Sequence, residues 1–240
     1  MIEELLPQRC ETAESYGDTP VGDLFPEEAA VIANAVAVRR HEFATVRACA
    51  REALGRFGIA PAPLLPGPSG EPKWPAGFVG SMTHCAGYRA AVVARTSDIV
   101  TIGVDAEPNL PLPNEGVAGH VLRPEERRQL ARLKAHSPEV SWDRLFFSAK
   151  ESVYKAWFPL TRLWLDFQEA TVTIHPETGT FSARLLVPGP VVNGVRLPGF
   201  RGGWLARGGL LVTAVACAEA ADRAPVPAGG EGASRAEPAA

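Results

Sequence analysis

Thr101-Ile-Gly-Val-Asp-Ala-Glu107 is an apolar run that ends in two carboxylates one residue apart. Strand side chains alternate between faces, so Asp105 and Glu107 are expected to point the same way off the end of a buried strand. Two hard oxygen ligands side by side, with room left for water and phosphate, suit Mg²⁺ better than Zn²⁺. A D-x-E at a strand exit is also what an ordinary solvated turn looks like. A second stretch, Phe147-Ser-Ala-Lys-Glu-Ser-Val-Tyr-Lys155, places Glu151 and Lys155 one helical turn apart. A third carboxylate beside a lysine is what metal-assisted phosphoryl transfer needs. Taken alone, that pair reads equally as a routine i,i+4 surface pair.

The 240 residues can bury a large core, as one big domain or as two of about 110 residues each. A net charge of −3 argues against a general nucleic-acid binder. Cys10, Cys49, Cys85 and Cys217 are scattered, with no CxxC and no Cys/His cluster, and read as reduced buried thiols. Met1-Ile-Glu-Glu-Leu-Leu is acidic and meets Pro7, which predicts no signal peptide. The longest apolar run, 210–218, is too short to cross a bilayer. These features predict a cytoplasmic protein without a membrane partner.

Along the chain, residues 1–20 read as irregular. Pro26-Glu-Glu starts a helix, with proline in the first turn and acids at the positive end of the dipole. A long helix is predicted over 41–57, ended by Gly58, with Phe43, Val46, Ala50, Leu54 and Phe57 as its buried stripe. Arg40, Arg47 and Arg51 share a narrow arc beside that stripe, and no acid on the same arc neutralises them. They form either a solvated basic edge or an anion site for phosphate groups.

The Pro/Gly-rich stretch 60–74 has no period and reads as a long loop of the kind often used for function. Phe78-Val-Gly-Ser-Met-Thr-His-Cys85 follows, with small donors suited to a close-approaching phosphate, although an isolated histidine such as His84 is more often structural. Strands over 88–94 and 99–105 are predicted to form a hairpin around Thr96-Ser-Asp98. The prolines of 108–113 mark a boundary between an N-terminal half, 1–107, and a C-terminal half, 108–223.

Arg123-Pro-Glu-Glu opens a helix to about 134, and Ser137-Pro-Glu opens another to about 157, stopped by Pro159. Leu145, Ala149, Val153 and Ala156 make its core stripe, with Phe147, Glu151 and Lys155 on a neighbouring face. Two hairpins follow, 169–175 with 180–187 and 204–207 with 210–217, the second turned at Gly208-Gly209. Each half therefore holds helix plus antiparallel strands, an α+β arrangement. The stretch 224–240 has the composition of a disordered tail.

In order, these stretches resemble the 4′-phosphopantetheinyl transferases, and more narrowly the large bacterial Sfp-type and enterobactin-synthetase component D-like branch. The resemblance is carried by Arg39-Arg-His-Glu-Phe-Ala-Thr-Val-Arg47, Gly70-Glu-Pro-Lys-Trp-Pro75, Gly80-Ser-Met-Thr-His-Cys85, Ile102-Gly-Val-Asp-Ala-Glu107 and Phe147-Ser-Ala-Lys-Glu-Ser-Val-Tyr-Lys-Ala-Trp157. It implies a monomer of two similar α/β halves related by a pseudo-twofold, with one active site between them. It implies transfer of the phosphopantetheine arm of coenzyme A to a serine of an apo acyl, peptidyl or aryl carrier domain, with release of 3′,5′-ADP.

The resemblance also implies roles for named residues. Asp105, Glu107 and Glu151, with the backbone carbonyl of Ala106, form the set for Mg²⁺, with Mn²⁺ as a substitute. Glu151 is the favoured base for the serine hydroxyl. Lys150 and Lys155 offset the pyrophosphate charge as the leaving group departs. His84 with Thr83 holds the 3′-phosphate, and Arg39 and Arg47 match the positions that grip the nucleotide phosphates, where the helix arc prefers Arg40. Glu71 and Pro72 belong to the coenzyme A loop. Tyr154, Trp164 and Leu165 line the pantetheine channel or simply pack in the core. Relatives often carry a basic residue where this chain has Leu65-Pro-Gly-Pro68; Lys73 stands nearby. Two other classes fit parts of the pattern: a catalytically silent coenzyme A or nucleotide-binding module, and a metal-dependent phosphohydrolase. The assembled set of Asp105, Glu107, Glu151 and Lys155 speaks against the silent module. The carriers of fatty-acid, polyketide, nonribosomal-peptide and siderophore systems are all compatible with the sequence.

Overall fold

Alternation along two strands explains the layering of the chain, whose computed structural model describes residues 1–18 and 24–218. The first sheet has three antiparallel strands, β1 (Cys10–Ser15), β2 (Phe78–Cys85) and β3 (Tyr88–Arg95), in the order β1-β3-β2. The second has five: β4 (Ile99–Pro108), β5 (Ala170–His175), β6 (Thr180–Leu185), β9 (Gly199–Arg207) and β10 (Leu210–Ala218), in the order β4-β10-β9-β6-β5. A small hairpin, β7 (Val191–Val192) with β8 (Val195–Arg196), lies outside both.

On β3, Ala91 and Val93 pack with Cys49, Ala50, Ala53 and Leu54 of helix α2 (Ala37–Arg56). Its alternate residues Ala90, Val92 and Ala94 join Ile102, Val104 and Ala106 of β4 in a core between the sheets. The other face of the second sheet belongs to helix α5 (Trp142–Thr161), whose Leu145, Ala149, Val153 and Ala156 are fully buried against it. The layer order is thus helix, sheet, sheet, helix. The fold is α+β, as expected, and each sheet carries one 20-residue helix.

The two sheets meet at their edges without a ladder. The amides of Val104 and Ala106, on the open side of β4, donate to the hydroxyls of Ser81 (3.1 Å) and Thr83 (2.9 Å) on β2. Buried N–H groups need an acceptor, and two side chains supply it where a neighbouring strand would otherwise do so.

Several expectations are corrected. Residues 10–15 form β1 and are not irregular; they pair with β3 from Cys10↔Ala94 to Ser15↔Arg89. The strands around Thr96-Ser-Asp98 are not a hairpin. Both edges of β3 are taken, by β1 and β2, so β4 crosses to the other sheet and pairs with β10. The β4–β10 ladder spans residue 107/108, with β4 before that point and β10 after it.

Ser137 ends a helix and does not open one. It is the C-cap of α4 (Pro124–His136), and its carbonyl accepts the Trp142 indole N–H at 2.7 Å. Helix α5 starts at Trp142, and Pro159 sits inside its last turns. There the proline lacks only the one amide bond to the preceding turn, and the helix runs on to a left-handed cap at Arg162 (φ 59°). Two short α-helices also stand among the described residues: α1 (Pro26–Val31), as expected, and α3 (Glu115–Val121), capped by the Asn114 side chain and not foreseen. The expected tail at 224–240 lies outside the described residues. No helix among the described residues is long and apolar enough to cross a membrane.

Candidate active site

Helix α5 runs antiparallel to β4 in a fixed register. The Thr101 hydroxyl donates to the Ala156 carbonyl (2.7 Å), Gly103 lies against the backbone of Ser152, and Glu107 meets Arg144 (2.9 Å). Two strand residues rise about 6.6 Å and four helical residues about 6 Å, so the two elements stay in step. From the β10 side, the Thr213 hydroxyl donates to the Ser148 carbonyl at 3.0 Å. Glycine at 103 is required because a strand glycine lets another backbone come close. The odd-numbered face of β4, with Asp105 and Glu107, is thereby held against Glu151 and Lys155.

Asp105 is buried. Its Oδ1 accepts from the Lys155 ammonium at 2.8 Å, and its Oδ2 is buried with no hydrogen-bond partner. Lys155 also donates to the Val104 carbonyl at 3.0 Å. Burial first, and then the Asp105 charge, pushes the carboxyl of Glu151 above its ordinary range. Glu107 is raised for the same two reasons, against the pull of Arg144. The site therefore holds three carboxylates that share too little positive charge. Among the described residues no cluster of three or more acids, histidines or cysteines stands at ligating spacing. Lys155 and Arg144 instead occupy one oxygen each of Asp105 and Glu107. Ala106 contributes an amide to Thr83 and a buried methyl to the core between the sheets.

Beyond this group opens a cleft of about 1170 Å³, walled by Arg39, Phe43 and Arg47 of α2, residues 66 and 68–74, His84 of β2, and Tyr154, Lys155 and Phe158 of α5. The Arg47 guanidinium lies over the Phe43 ring, 3.1 Å from its centroid, and donates from Nε to the Leu64 carbonyl. Burial lowers its pKa to about 10. Arg39 donates from Nη1 to His84 Nε2, and Glu42 lies 3.4 Å from the same nitrogen. An arginine can only donate, so His84 is neutral in this contact. Burial first, and then Arg39, lowers its pKa.

Other expected site residues lie partly in this cleft and partly outside it. Arg40 is exposed and does not line the cleft, so of the two alternatives Arg39 is the one at the site. The hydroxyl of Thr83 is committed to β4. Lys150 is turned away from the cleft. Its ammonium is buried on Glu126 (2.8 Å) and the carbonyls of Val121 and Phe167. A separation of five residues puts Lys150 and Lys155 on different sides of α5. Glu71 and Pro72 line the cleft, with the Glu71 carboxylate holding Arg162 (2.9 Å) and the Ser69 amide. Leu165 is buried beside a separate cavity of about 60 Å³ that it shares with Glu151, Tyr154 and Trp164. Lys73 lines the large cleft near the loop that lacks a basic residue.

Residues 27–94 match the family model described as the 4′-phosphopantetheinyl transferase N-terminal domain, and residues 101–190 match that of the 4′-phosphopantetheinyl transferase superfamily. The chain is also 59% identical over 235 residues to 4′-phosphopantetheinyl transferase Svp of Streptomyces mobaraensis, covering 97% of this chain and 95% of that protein. This chain belongs to the 4′-phosphopantetheinyl transferase family. It is 48% identical to 4′-phosphopantetheinyl transferase PptT of Mycobacterium tuberculosis over 207 residues, which cover 85% of this chain and 90% of the other. With Npt of Nocardia iowensis it shares 44% identity over 226 residues, covering 91% of this chain and all of that one. The chain is thus an enzyme of this transferase class.

Within the phosphopantetheinyl transferase fold, Glu28, Glu42, Gly103, Arg144 and Arg162 were not singled out from the sequence. Only Gly103 carried a readable signal, a glycine inside an otherwise bulky strand. The others matter through partners distant along the chain or on a neighbouring turn.

Proposed function

We propose that the cleft binds coenzyme A and that the enzyme transfers its 4′-phosphopantetheine arm to a serine of an apo acyl, peptidyl or aryl carrier domain, releasing 3′,5′-ADP. The observation that carries the reading is the buried, unpartnered Oδ2 of Asp105, whose other oxygen is held by Lys155, a residue that lines the cleft opposite Arg39 and Arg47. Asp105, Glu107 and Glu151, with the Ala106 carbonyl as a further donor, offer the hard oxygens a divalent cation takes, and would hold one once drawn closer than they stand here. When bound, Mg²⁺, or Mn²⁺ in its place, supplies positive charge to the pyrophosphate and to these carboxylates.

The residues divide the work by position. Arg39, Arg47 and His84 hold the nucleotide phosphates, and residues 69–73, with Glu71 and Pro72, wall the nucleotide. Glu151 takes the proton of the carrier serine as its Oγ bonds to the β-phosphorus. The bond from that phosphorus to the bridging oxygen breaks, and 3′,5′-ADP leaves with the electron pair. Lys155, beside Asp105, balances the charge that gathers on the departing phosphate. Tyr154 offers an aromatic wall to the pantetheine arm.

The reading has the enzyme act as a monomer in the cytoplasm, without nucleic acid or membrane. The cleft lies between an N-terminal and a C-terminal half, with β4 bonded into the second sheet. Its substrates are the carriers of polyketide, nonribosomal-peptide, siderophore or fatty-acid synthesis. The test is incubation with coenzyme A and Mg²⁺, with and without purified apo carriers. Carrier-dependent release of 3′,5′-ADP, together with the pantetheine mass on the carrier serine, is expected. Release without a carrier means a hydrolase, and no release with any carrier means a binding module.

A further inference from the structure

Glu28 is fully buried in the first turn of α1, and it is an acid with more than one cation for company. Both its oxygens accept from Arg51 Nη1, at 2.8 and 2.9 Å. Oε2 also accepts the Phe25 amide at 3.1 Å, which caps α1, and Oε1 accepts the Leu64 amide at 2.8 Å. The carbonyl of the same Leu64 accepts from Arg47 Nε at 2.9 Å, and Arg47 Nε lies 3.9 Å from Glu28 Oε1. One loop residue is therefore clamped on both sides of its backbone, by an acid from α1 and an arginine from α2.

Two consequences follow from this geometry. A single carboxylate faces two guanidinium groups. It bonds Arg51 directly and stands farther from Arg47, and Arg47 lines the cleft. With Nε tied to Leu64 and the guanidinium carbon held over the Phe43 ring, the Nη1/Nη2 edge of Arg47 has its direction set. That edge is the one able to take a phosphate with two parallel bonds. The clamp also sits two residues before the stretch that forms the cleft wall from Pro66 to Trp74.

We propose that Glu28 is a positioning residue for coenzyme A, acting through Leu64 to aim Arg47 and the following loop at the nucleotide phosphates. This rests on the reading of Arg47 given above. Glu28→Gln keeps the volume and one acceptor oxygen but removes the charge. It is expected to raise KM for coenzyme A roughly tenfold with kcat within about twofold, because phosphate anchoring is largely uniform binding. In an Arg47→Ala background the same substitution is expected to raise KM less than about twofold, since interacting residues are non-additive.

Removing one partner of a buried pair strands the other charge, so the folded state of each variant is followed by thermal unfolding. Where Glu28→Gln alone does not fold, Glu28→Gln with Arg51→Met, which also removes the arginine bonded to Glu28, is read in its place. An equal factor in both backgrounds, an unchanged KM, or a parallel fall in kcat overturns the proposal while leaving Arg47 in its role. An unchanged KM in Arg47→Ala itself overturns both.

Discussion

A Cβ placed on Gly103 would lie 1.9 Å from the carbonyl oxygen of Ser152, and 2.6 Å from the amide of Ala156. Both contacts are to helix backbone, so neither neighbour can rotate out of the way. Any side chain at 103 must push α5 off β4, carrying Glu151 and Lys155 away from Asp105. Gly103→Ala is expected to cost about 1–3 kcal/mol of stability, the scale of overpacking a tight core. The loss of kcat should exceed tenfold, because small misplacements of reacting groups are costly. Thermal unfolding and carrier loading on the same preparation check this; a wild-type kcat would show that the α5–β4 contact does not position the site.

Arg144 donates to Glu107 Oε2 (2.9 Å) and to the carbonyls of Leu110 (3.2 Å) and Pro111 (3.0 Å). It fixes one oxygen of Glu107 and the turn that follows β4. Arg144→Gln is expected to raise the Mg²⁺ concentration for half-maximal activity about tenfold, the lower end for groups that orient ligands. Saturation by coenzyme A should hardly change. Direct titration with Mn²⁺ gives a readout independent of turnover, and unaltered Mn²⁺ affinity refutes the role.

Two demands meet at Glu151. A serine hydroxyl needs a base as it attacks phosphorus, and a carboxylate is one of the groups that supplies it. Glu151→Gln should lose at least ~10²-fold in kcat, roughly 3 kcal/mol, while keeping much of the coenzyme A affinity. Calorimetry and mass-spectrometric loading separate the two. Collapsed binding with a near-normal residual kcat would make Glu151 a binding group only.

His84 gives a prediction with a definite sign. Burial and Arg39 hold its imidazole below the ordinary value of 6.5, so it is largely neutral near pH 7 in the free enzyme. An anion arriving beside it favours the charged form, so the ring takes up a proton on binding. That uptake grows as pH falls toward neutrality and disappears below the lowered free value, where the ring is already charged. Calorimetry of coenzyme A binding in two buffers of different ionisation enthalpy counts the protons. His84→Asn is expected to take up fewer than the native enzyme, and an equal count in both removes His84 from the phosphate site.

What could be read in the sequence was what local pattern controls. Helix α2 and the stripe Leu145, Ala149, Val153 and Ala156 followed from apolar spacing. The turns at residues 176–179 and Gly208-Gly209 placed two hairpins correctly. Pairing between distant segments was less legible. Nothing in Cys10-Glu-Thr-Ala-Glu-Ser15 announces a strand, because its order comes from β3. Nothing in the turn before β4 says that β3 already has two neighbours. At the site, the facing of Asp105 and Glu107 followed from strand alternation. The burial of Lys150 depended on Glu126, and the neutralisation of Arg51 on Glu28, 23 residues away on another helix.

The hydroxyl contacts from Ser81 and Thr83 to β4 have a practical corollary for dissecting this enzyme. They are two side-chain bonds between sheet edges, so the join has no continuous ladder to unzip. The connection at residues 96–98 crosses it. A chain nicked there would leave β1-β3-β2 intact on one fragment and β4-β10-β9-β6-β5 on the other. A nick in the proline-rich stretch after Pro108 would instead strip β4 from β10 and expose a long apolar edge. Fragment complementation, with activity restored on mixing, therefore has its natural cut ahead of Ile99, leaving the paired carboxylates and their helix on one piece and Arg39 and Arg47 on the other.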